Sequence, residues 1–287
     1  MKRRLSIIIL ILGIAAALTA VPVFWFTYAA PKDLEIDFLD VGQGDAILIK
    51  TPFGQNILID GGPDDSVINR MSKNLPWWDK RIDLMILTHP HDDHVGGLVD
   101  VIKRYDVKQI LYTGVIHSSP AYLEWLELIR ERKIPLIIID RPQKINLGEN
   151  CYFEILYPFE SLLGKEVSNL NNSSIVTKLV YGQTKFLFSG DAELEIEQEL
   201  LNKNIDLQAD VFKAGHHGSD TSNSQDFLEA ISPDIAIIQV GEDNDFGHPS
   251  RRVLKRLERI EAKIFRNDLD GTVRIRSDGG EVYVERK

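Results

Sequence analysis

The stretch Thr88-His89-Pro90-His91-Asp92-Asp93-His94-Val95-Gly96-Gly97 constrains this chain more than any other. It packs three imidazoles and two carboxylates into six residues, directly after a short apolar run at 83–88. Imidazole and carboxylate together suit borderline divalent cations such as Zn2+, or Mn2+ where oxygen ligands dominate. His89 and His91 are two apart in an extended turn, so both rings can point the same way. Asp93 and His94 follow as the chain turns into a helix, where Leu98, Val101, Ile102 and Tyr105 fall at helical spacing. One cation can take the first pair and a second cation the second pair. A lone histidine here would read as part of a solvated loop. The HxHxDH spacing between Thr88 and two glycines favours metal instead.

From Asp33 onward strands and helices alternate, with no linker, low-complexity tract or fixed-period repeat. Strands are expected at 34–41, 45–50, 55–59, 83–88, 152–156, 175–181, 185–189, 210–214 and 235–240, and a buried one at 135–140. Helices are expected at 121–132, 192–202, 224–231 and 249–260, the last with Pro249 in its first turn. A terminal hairpin at 272–277 and 281–285 turns on Asp278-Gly279-Gly280. Two β-rich halves with interspersed helices suggest two facing sheets with helices outside.

Six further segments accompany the histidine cluster. They are Asp40-Val41-Gly42-Gln43-Gly44-Asp45-Ala46, Leu58-Ile59-Asp60-Gly61-Gly62, Asn171-Asn172-Ser173-Ser174, Phe188-Ser189-Gly190-Asp191, Gly215-His216-His217-Gly218-Ser219 and Phe246-Gly247-His248-Pro249. In order and spacing they resemble the metallo-β-lactamase superfamily, and within it the hydrolase domain of the ComEC competence family, from about residue 34 to the C-terminus. The resemblance implies an α/β fold, the αββα sandwich of two facing mixed sheets with helices on the outer faces, and a hydrolase domain over 33–287. It does not extend to the multi-helix channel region of that family.

The resemblance also implies two divalent ions, Zn2+ or Mn2+, held by His89, His91, Asp93, His94, Asp191, His216 and His217. Asp191 would bridge them; its ordinary alternative is a helix N-cap. Only one of His216 and His217 need bind metal, the other facing substrate or a carboxylate. The catalytic set would be Asp93, His248 and Asn172, with His248 lining the site as a possible acid. Asn171-Asn172 occupies the place where many relatives carry a third histidine, offering an amide to a substrate oxygen or simply a turn. Asp60 would orient a ligand histidine; Asp45 would do the same or serve its turn. Asp92 reads as a solvated neighbour and His117 as surface.

A hydroxide bridging two ions would attack phosphorus or a carbonyl carbon. The expected activity is that of a phosphodiesterase or nuclease, with DNA as a candidate partner. Rival expectations are a hydrolase of small esters, lactones or phosphocholine, and a non-catalytic DNA- or partner-binding domain. The intact ligand set opposes the last.

Charge and the N-terminus set the context. Lys2-Arg3-Arg4 precedes a charge-free apolar run at 5–30, long enough to cross a hydrocarbon core of roughly 30 Å. The basic cluster predicts a cytoplasmic N-terminus and an exported remainder, and Trp25, Phe26 and Tyr28 resemble an interfacial belt. The segment reads as a signal anchor, or as a signal peptide cleaved before a secreted domain. After it, 30 basic residues face 43 acidic ones, a net charge of -13 that repels polyanions at long range. The single cysteine, Cys151, can form no internal disulfide and reads as a buried hydrophobe.

Overall fold

The computed structural model describes residues 33–285, so the expected N-terminal membrane segment lies outside the described residues. The chain enters as an antiparallel meander of β1 (Leu34–Phe38), β2 (Ile47–Lys50) and β3 (Asn56–Ile59). Alternate residues go to opposite faces. Ile47, Ile49, Ile57 and Ile59 enter one core, while Leu48 and Leu58 enter another. Helix α1 (Ser66–Asn74) and the short β4 (Arg81–Ile82) lead to β5 (Leu84–Ile86), which lies parallel to β3. Helix α2 (Asp92–Arg104), β6 (Asp106–Val107), β7 (Ile110–Tyr112), α3 (Pro120–Arg132) and β8 (Leu136–Ile138) complete the first half.

The second half opens with the antiparallel strands β9 (Gln143–Gly148), β10 (Cys151–Tyr157), β11 (Val176–Tyr181) and β12 (Thr184–Phe188). It continues in parallel through α4 (Leu194–Asn202), β13 (Val211–Lys213), α5 (Gln225–Ile231), β14 (Ile235–Ile238), α6 (Arg251–Arg259) and β15 (Lys263–Arg266). One turn of helix, α7 (Asn267–Asp270), returns the chain to the first sheet as β16 (Val273–Ser277) and β17 (Val282–Glu285). There β16 pairs antiparallel with β1.

Among the described residues the result is an eight-stranded sheet ordered β17-β16-β1-β2-β3-β5-β7-β8 and a seven-stranded sheet ordered β15-β14-β13-β12-β11-β10-β9. One core lies between the sheets, with Ile36, Phe38, Phe153, Phe186 and Phe188 at its centre. A second packs α1, α2 and α3 on the first sheet, and a third packs α4, α5 and α6 on the second. This is the expected αββα sandwich of two mixed sheets. Among the described residues no helix is long and apolar enough to cross a membrane.

Two local expectations need correcting, and one helix was not expected. The strand at 135–140 is not buried. It shortens to β8, the last strand of its sheet, and Leu136 and Ile137 are exposed. Pro249 precedes the helix rather than opening it, because Ser250 is the N-cap and accepts from the Arg252 amide at 3.2 Å. Helix α1 escaped the periodicity because only Val67 and Met71 are buried, too narrow a stripe to stand out.

Candidate metal centre

The site forms where loops leave the strands on one end of the sandwich. After β1 comes the Asp40–Asp45 turn, after β3 Asp60, after β5 the histidine cluster, after β12 Asp191, after β13 His216-His217, and after β14 Gln239 to His248. Glycines let these loops approach. A Cβ on Gly97 would overlap the Gly61 carbonyl, and one on Gly44, at φ +138°, would overlap the Asp93 carbonyl. The Gly61-Gly62 and Gly96-Gly97 pairs therefore press the first turn of α2 against the Asp60 loop. Asp60, His216 and His217 all adopt positive φ, at 56°, 47° and 52°. Backbone strain of this kind in non-glycine residues collects at functional sites.

Four side chains converge on the floor. One donor atom each from Asp93, His94, Asp191 and His217 lies within 4.8 Å of the others. His94 Nε2 and His217 Nε2 are 3.2 and 3.3 Å from the same oxygen, Asp191 Oδ2. His217 Nε2 is also 3.1 Å from Asp93 Oδ2. The far nitrogen of each ring is already committed. His94 Nδ1 donates to Asp60 Oδ2 at 2.8 Å, and His217 Nδ1 donates to the Gln239 carbonyl at 2.9 Å. Both Nε2 atoms thus face carboxylate oxygens, an arrangement satisfied by a second proton on each ring or by a cation held between them. Asp191 Oδ1 is buried without a hydrogen-bond partner. The donor set fits a divalent ion of the Zn2+ or Mn2+ type.

The electrostatics agree. Burial works against charge on His94 and His217, but Asp191 and the neighbouring carboxylates hold both pKa values well above the ordinary imidazole range. Burial also opposes ionisation of Asp191, yet His217, His94 and Lys213 hold its pKa well below the usual carboxylate range. Asp93 is lowered likewise, with His94 and His217 outweighing burial. Asp60 moves the other way, raised chiefly by burial. It accepts from the Thr88 amide at 2.8 Å and the Thr88 hydroxyl at 2.7 Å, so it is anchored as it orients His94.

His89 and His91 form the neighbouring pair. His89 Nε2 and His91 Nδ1 are 3.1 Å apart, and the His89 and His94 ring centroids are 4.1 Å apart. Burial, with the charge of His94 adding to it, pushes His89 well below the ordinary range, so this ring is neutral as a metal ligand must be. Burial lowers His91 too.

The structure separates His216 from His217. His216 Nδ1 faces Thr221 Oγ1 at 3.1 Å and Glu193 Oε1 at 3.4 Å, on the cleft wall rather than among the four converging donors. Asn172 points away from the cleft. Its amide donates to Glu195 and its carbonyl accepts from the Glu193 amide, leaving Asn171, 3.5 Å from His216, as the asparagine nearer the centre. Asp191 is not a helix N-cap, since Glu193 holds that position before α4. His248 stands at the mouth, its ring centroid 5.5 Å from His216, with Nδ1 buried and unpartnered. Burial, with His216 and His217 adding to it, pushes its pKa down to about 4. At neutral pH the ring is neutral, which suits a hydrogen-bond donor better than an imidazolium acid. Asp92 is exposed, as expected. His117 is half-buried, and its ring centroid lies 6.4 Å from that of His91, closer to the site than a surface reading implies.

Sequence reasoning missed Lys213 and Gln239. Lys213 is buried beneath Asp191, pairs with Asp45, lies 3.5 Å from Asp191 Oδ1 and donates to the Gly190 carbonyl at 3.0 Å. Burial disfavours its charge, but Asp45 and Asp191 raise its pKa. Asp45 in turn is lowered, Lys213 and His217 outweighing burial. A lysine ending an apolar strand just before two histidines was the available signal. Gln239 reads as strand continuation, yet its amide donates to the Leu39 and Ala46 carbonyls and so ties the Asp45 turn to the His217 loop.

Above these residues opens a cleft of about 630 Å³, lined by His91, Asp93, Asp191, His217, His248 and Phe246 among others. The sequence profile of the Metallo-beta-lactamase superfamily matches residues 39–242. ComE operon protein 3 of Bacillus subtilis (strain 168) is 30% identical over 264 residues, covering 84% of this chain and 33% of that protein. Competence protein ComA of Neisseria gonorrhoeae is 29% identical over 249 residues, covering 86% of this chain and 33% of that protein. The chain thus spans about a third of the length of these curated relatives. Among solved structures, CmlA, a diiron β-hydroxylase from Streptomyces venezuelae, superposes with a TM-score of 0.55 at 18% identity, over 86% of this chain and 54% of that one. That likeness concerns the fold alone. The family profile, the two relatives and the converging donors agree: this chain belongs to the metallo-β-lactamase superfamily of metal-dependent hydrolases, with ComEC-family proteins among its relatives.

Proposed function

We propose that the chain is a phosphodiesterase working with two divalent ions outside the cytoplasm, held at the membrane by its 5–30 segment. The observation that carries the catalytic reading is the meeting of His94 Nε2 and His217 Nε2 on one oxygen of Asp191. Asp93, His94, His217 and Asp191 would hold one ion; His89 and His91, with Asp191 shared, would hold the other. Such ions supply Lewis acidity and a water that is nucleophilic near neutral pH. The chain's own residues do the rest. Asp60 and the Gln239 carbonyl fix the tautomers of His94 and His217, so that each presents Nε2 to the centre. His248 offers a neutral imidazole at the cleft mouth, placed to hydrogen-bond a substrate oxygen. His216, braced by Glu193, lines the same wall.

Similarity to competence proteins favours DNA as the natural diester. The field of the cleft limits how it is held. Among the described residues its wall carries Asp64 and Asp92 and no lysine or arginine. A phosphate would therefore be gripped by the ions, and a strand end or short single strand fits better than a long duplex. The same observation favours a small ester or phosphocholine as the second reading. Turnover of bis(p-nitrophenyl) phosphate, nitrocefin and a lactone panel with Zn2+ or Mn2+, beside single-stranded and duplex DNA, separates these. The proposal expects diester and single-strand cleavage, abolished in Asp191→Ala. Turnover of lactones alone would replace it with the second reading.

A further inference from the structure

Three large aromatic side chains are exposed at the end of the molecule opposite the metal centre. Trp77 is 80% exposed, Trp78 69% and Phe53 46%. The indoles sit edge to face, centroids 5.6 Å apart. They are bracketed by Asn74 and Asp79, and both are tied to the end of the sheet where β1 begins. The Asn74 carbonyl accepts from Lys50 Nζ at 2.9 Å, and Asp79 accepts from Asn56 Nδ2 at 2.9 Å. Lys50 in turn lies opposite Glu35, the second residue of β1. Phe53 caps the β2–β3 turn at the same end.

We propose that Trp77 and Trp78 seat this end of the domain in the headgroup layer of the bilayer, and so turn the cleft toward the aqueous side. The inference rests on the proposed anchoring through residues 5–30. Only Pro31, Lys32 and Asp33 separate that apolar run from Leu34. At most about 3.5 Å per residue, the start of β1 lies within about 14 Å of where the run ends. An end so tethered has its exposed aromatics within reach of the interface. Tryptophan concentrates there because its ring is apolar and its N–H is polar. Around the pair, Lys73 and Lys80 are exposed and available to anionic headgroups, while Arg81 is paired with Asp83 at 3.2 Å and Asp79 and Asp106 lie close by, so the aromatic rings contribute more to the docking than charge does. Helix α2 runs 13 residues, about 20 Å, from Asp92 at the site to Arg104 beside this end. The site would therefore stand up to about that far off the bilayer. This proposal concerns orientation, and it holds or fails apart from the substrate.

The chain has four tryptophans. Trp125 is fully buried in the core, and Trp25 lies within the 5–30 segment. The full chain carrying Trp25→Phe, reconstituted in phosphatidylcholine–phosphatidylglycerol vesicles with brominated acyl chains, isolates the pair once the emission of its Trp77→Ser/Trp78→Ser version, which comes from buried Trp125 alone, is subtracted. The expected result is flotation with the vesicles, blue-shifted emission quenched by the brominated lipid and sheltered from acrylamide, and loss of that quenching in Trp77→Ser/Trp78→Ser. Flotation with emission quenched by acrylamide and indifferent to bromine would overturn the docking while leaving the anchor standing. Failure to float would overturn both.

Discussion

The Nδ1–H of His94 donates to Asp60 Oδ2 at 2.8 Å, so the tautomer that aims His94 Nε2 at Asp191 is set by a residue 34 positions earlier in the chain. Asp60→Asn keeps the size and tolerates the positive φ but replaces the carboxylate with a weaker acceptor. Orienting partners of this kind are worth roughly 10–100-fold in metal affinity. Titration calorimetry with Zn2+ should show a loss in that range with an unchanged circular dichroism spectrum. Unaltered affinity would mean that Asp60 serves only the fold.

His216 and His217 are adjacent, yet only His217 joins the converging donors. His217→Ala should lose the bound ion and diesterase activity together. His216→Ala should retain metal and lose turnover of bound substrate. Metal content by mass spectrometry beside kcat and KM distinguishes them, and the reverse pattern would reassign the ligand.

Lys213 supplies buried positive charge between Asp45 and Asp191. Lys213→Met removes one partner and leaves the carboxylates uncompensated, which costs about 3–5 kcal/mol. Urea unfolding of the metal-free protein should show that loss, partly restored by divalent cation. A change within about 0.5 kcal/mol would contradict the account.

Metal binding should release protons. His94 and His217 are held well above the ordinary value of 6.5, so in the metal-free protein both carry a second ring proton, on Nε2, at pH 7. Groups raised on folding stabilise fully below the unfolded value, and that stabilisation is lost as pH rises through the folded one. The metal-free protein should therefore weaken as pH climbs above about 6.5, and the metal-loaded protein much less. Calorimetry in buffers of different ionisation enthalpy reads the released protons directly; zero release at pH 7 would contradict the assignment.

Much of this was legible in the sequence, and the limits have physical causes. The histidine cluster was visible because its ligands are local, within one turn after a strand. The sandwich followed from the motifs, since short alternating strands fit several layer arrangements equally well. Residues that act across the fold were less visible. Lys213 meets Asp45 over 168 positions, and Gln239 donates to carbonyls 193 and 200 positions away. Asn171 and Asn172 are equivalent as letters; only the start of α4, where the Glu193 amide takes the carbonyl of Asn172, turns that side chain from the cleft. The glycine pairs matter through contacts no periodicity records. Gly97→Ala would push a Cβ into the Gly61 carbonyl, and overpacking of this kind costs about 1–3 kcal/mol.

Anomalous diffraction from crystals grown with Zn2+ or Mn2+ tests the central claim most directly. The account predicts one peak about 2.0–2.2 Å from donors of Asp93, His94, Asp191 and His217, and a second beside His89 and His91 that shares Asp191. Ions bound elsewhere, or Asp191 turned away from both peaks, would contradict it.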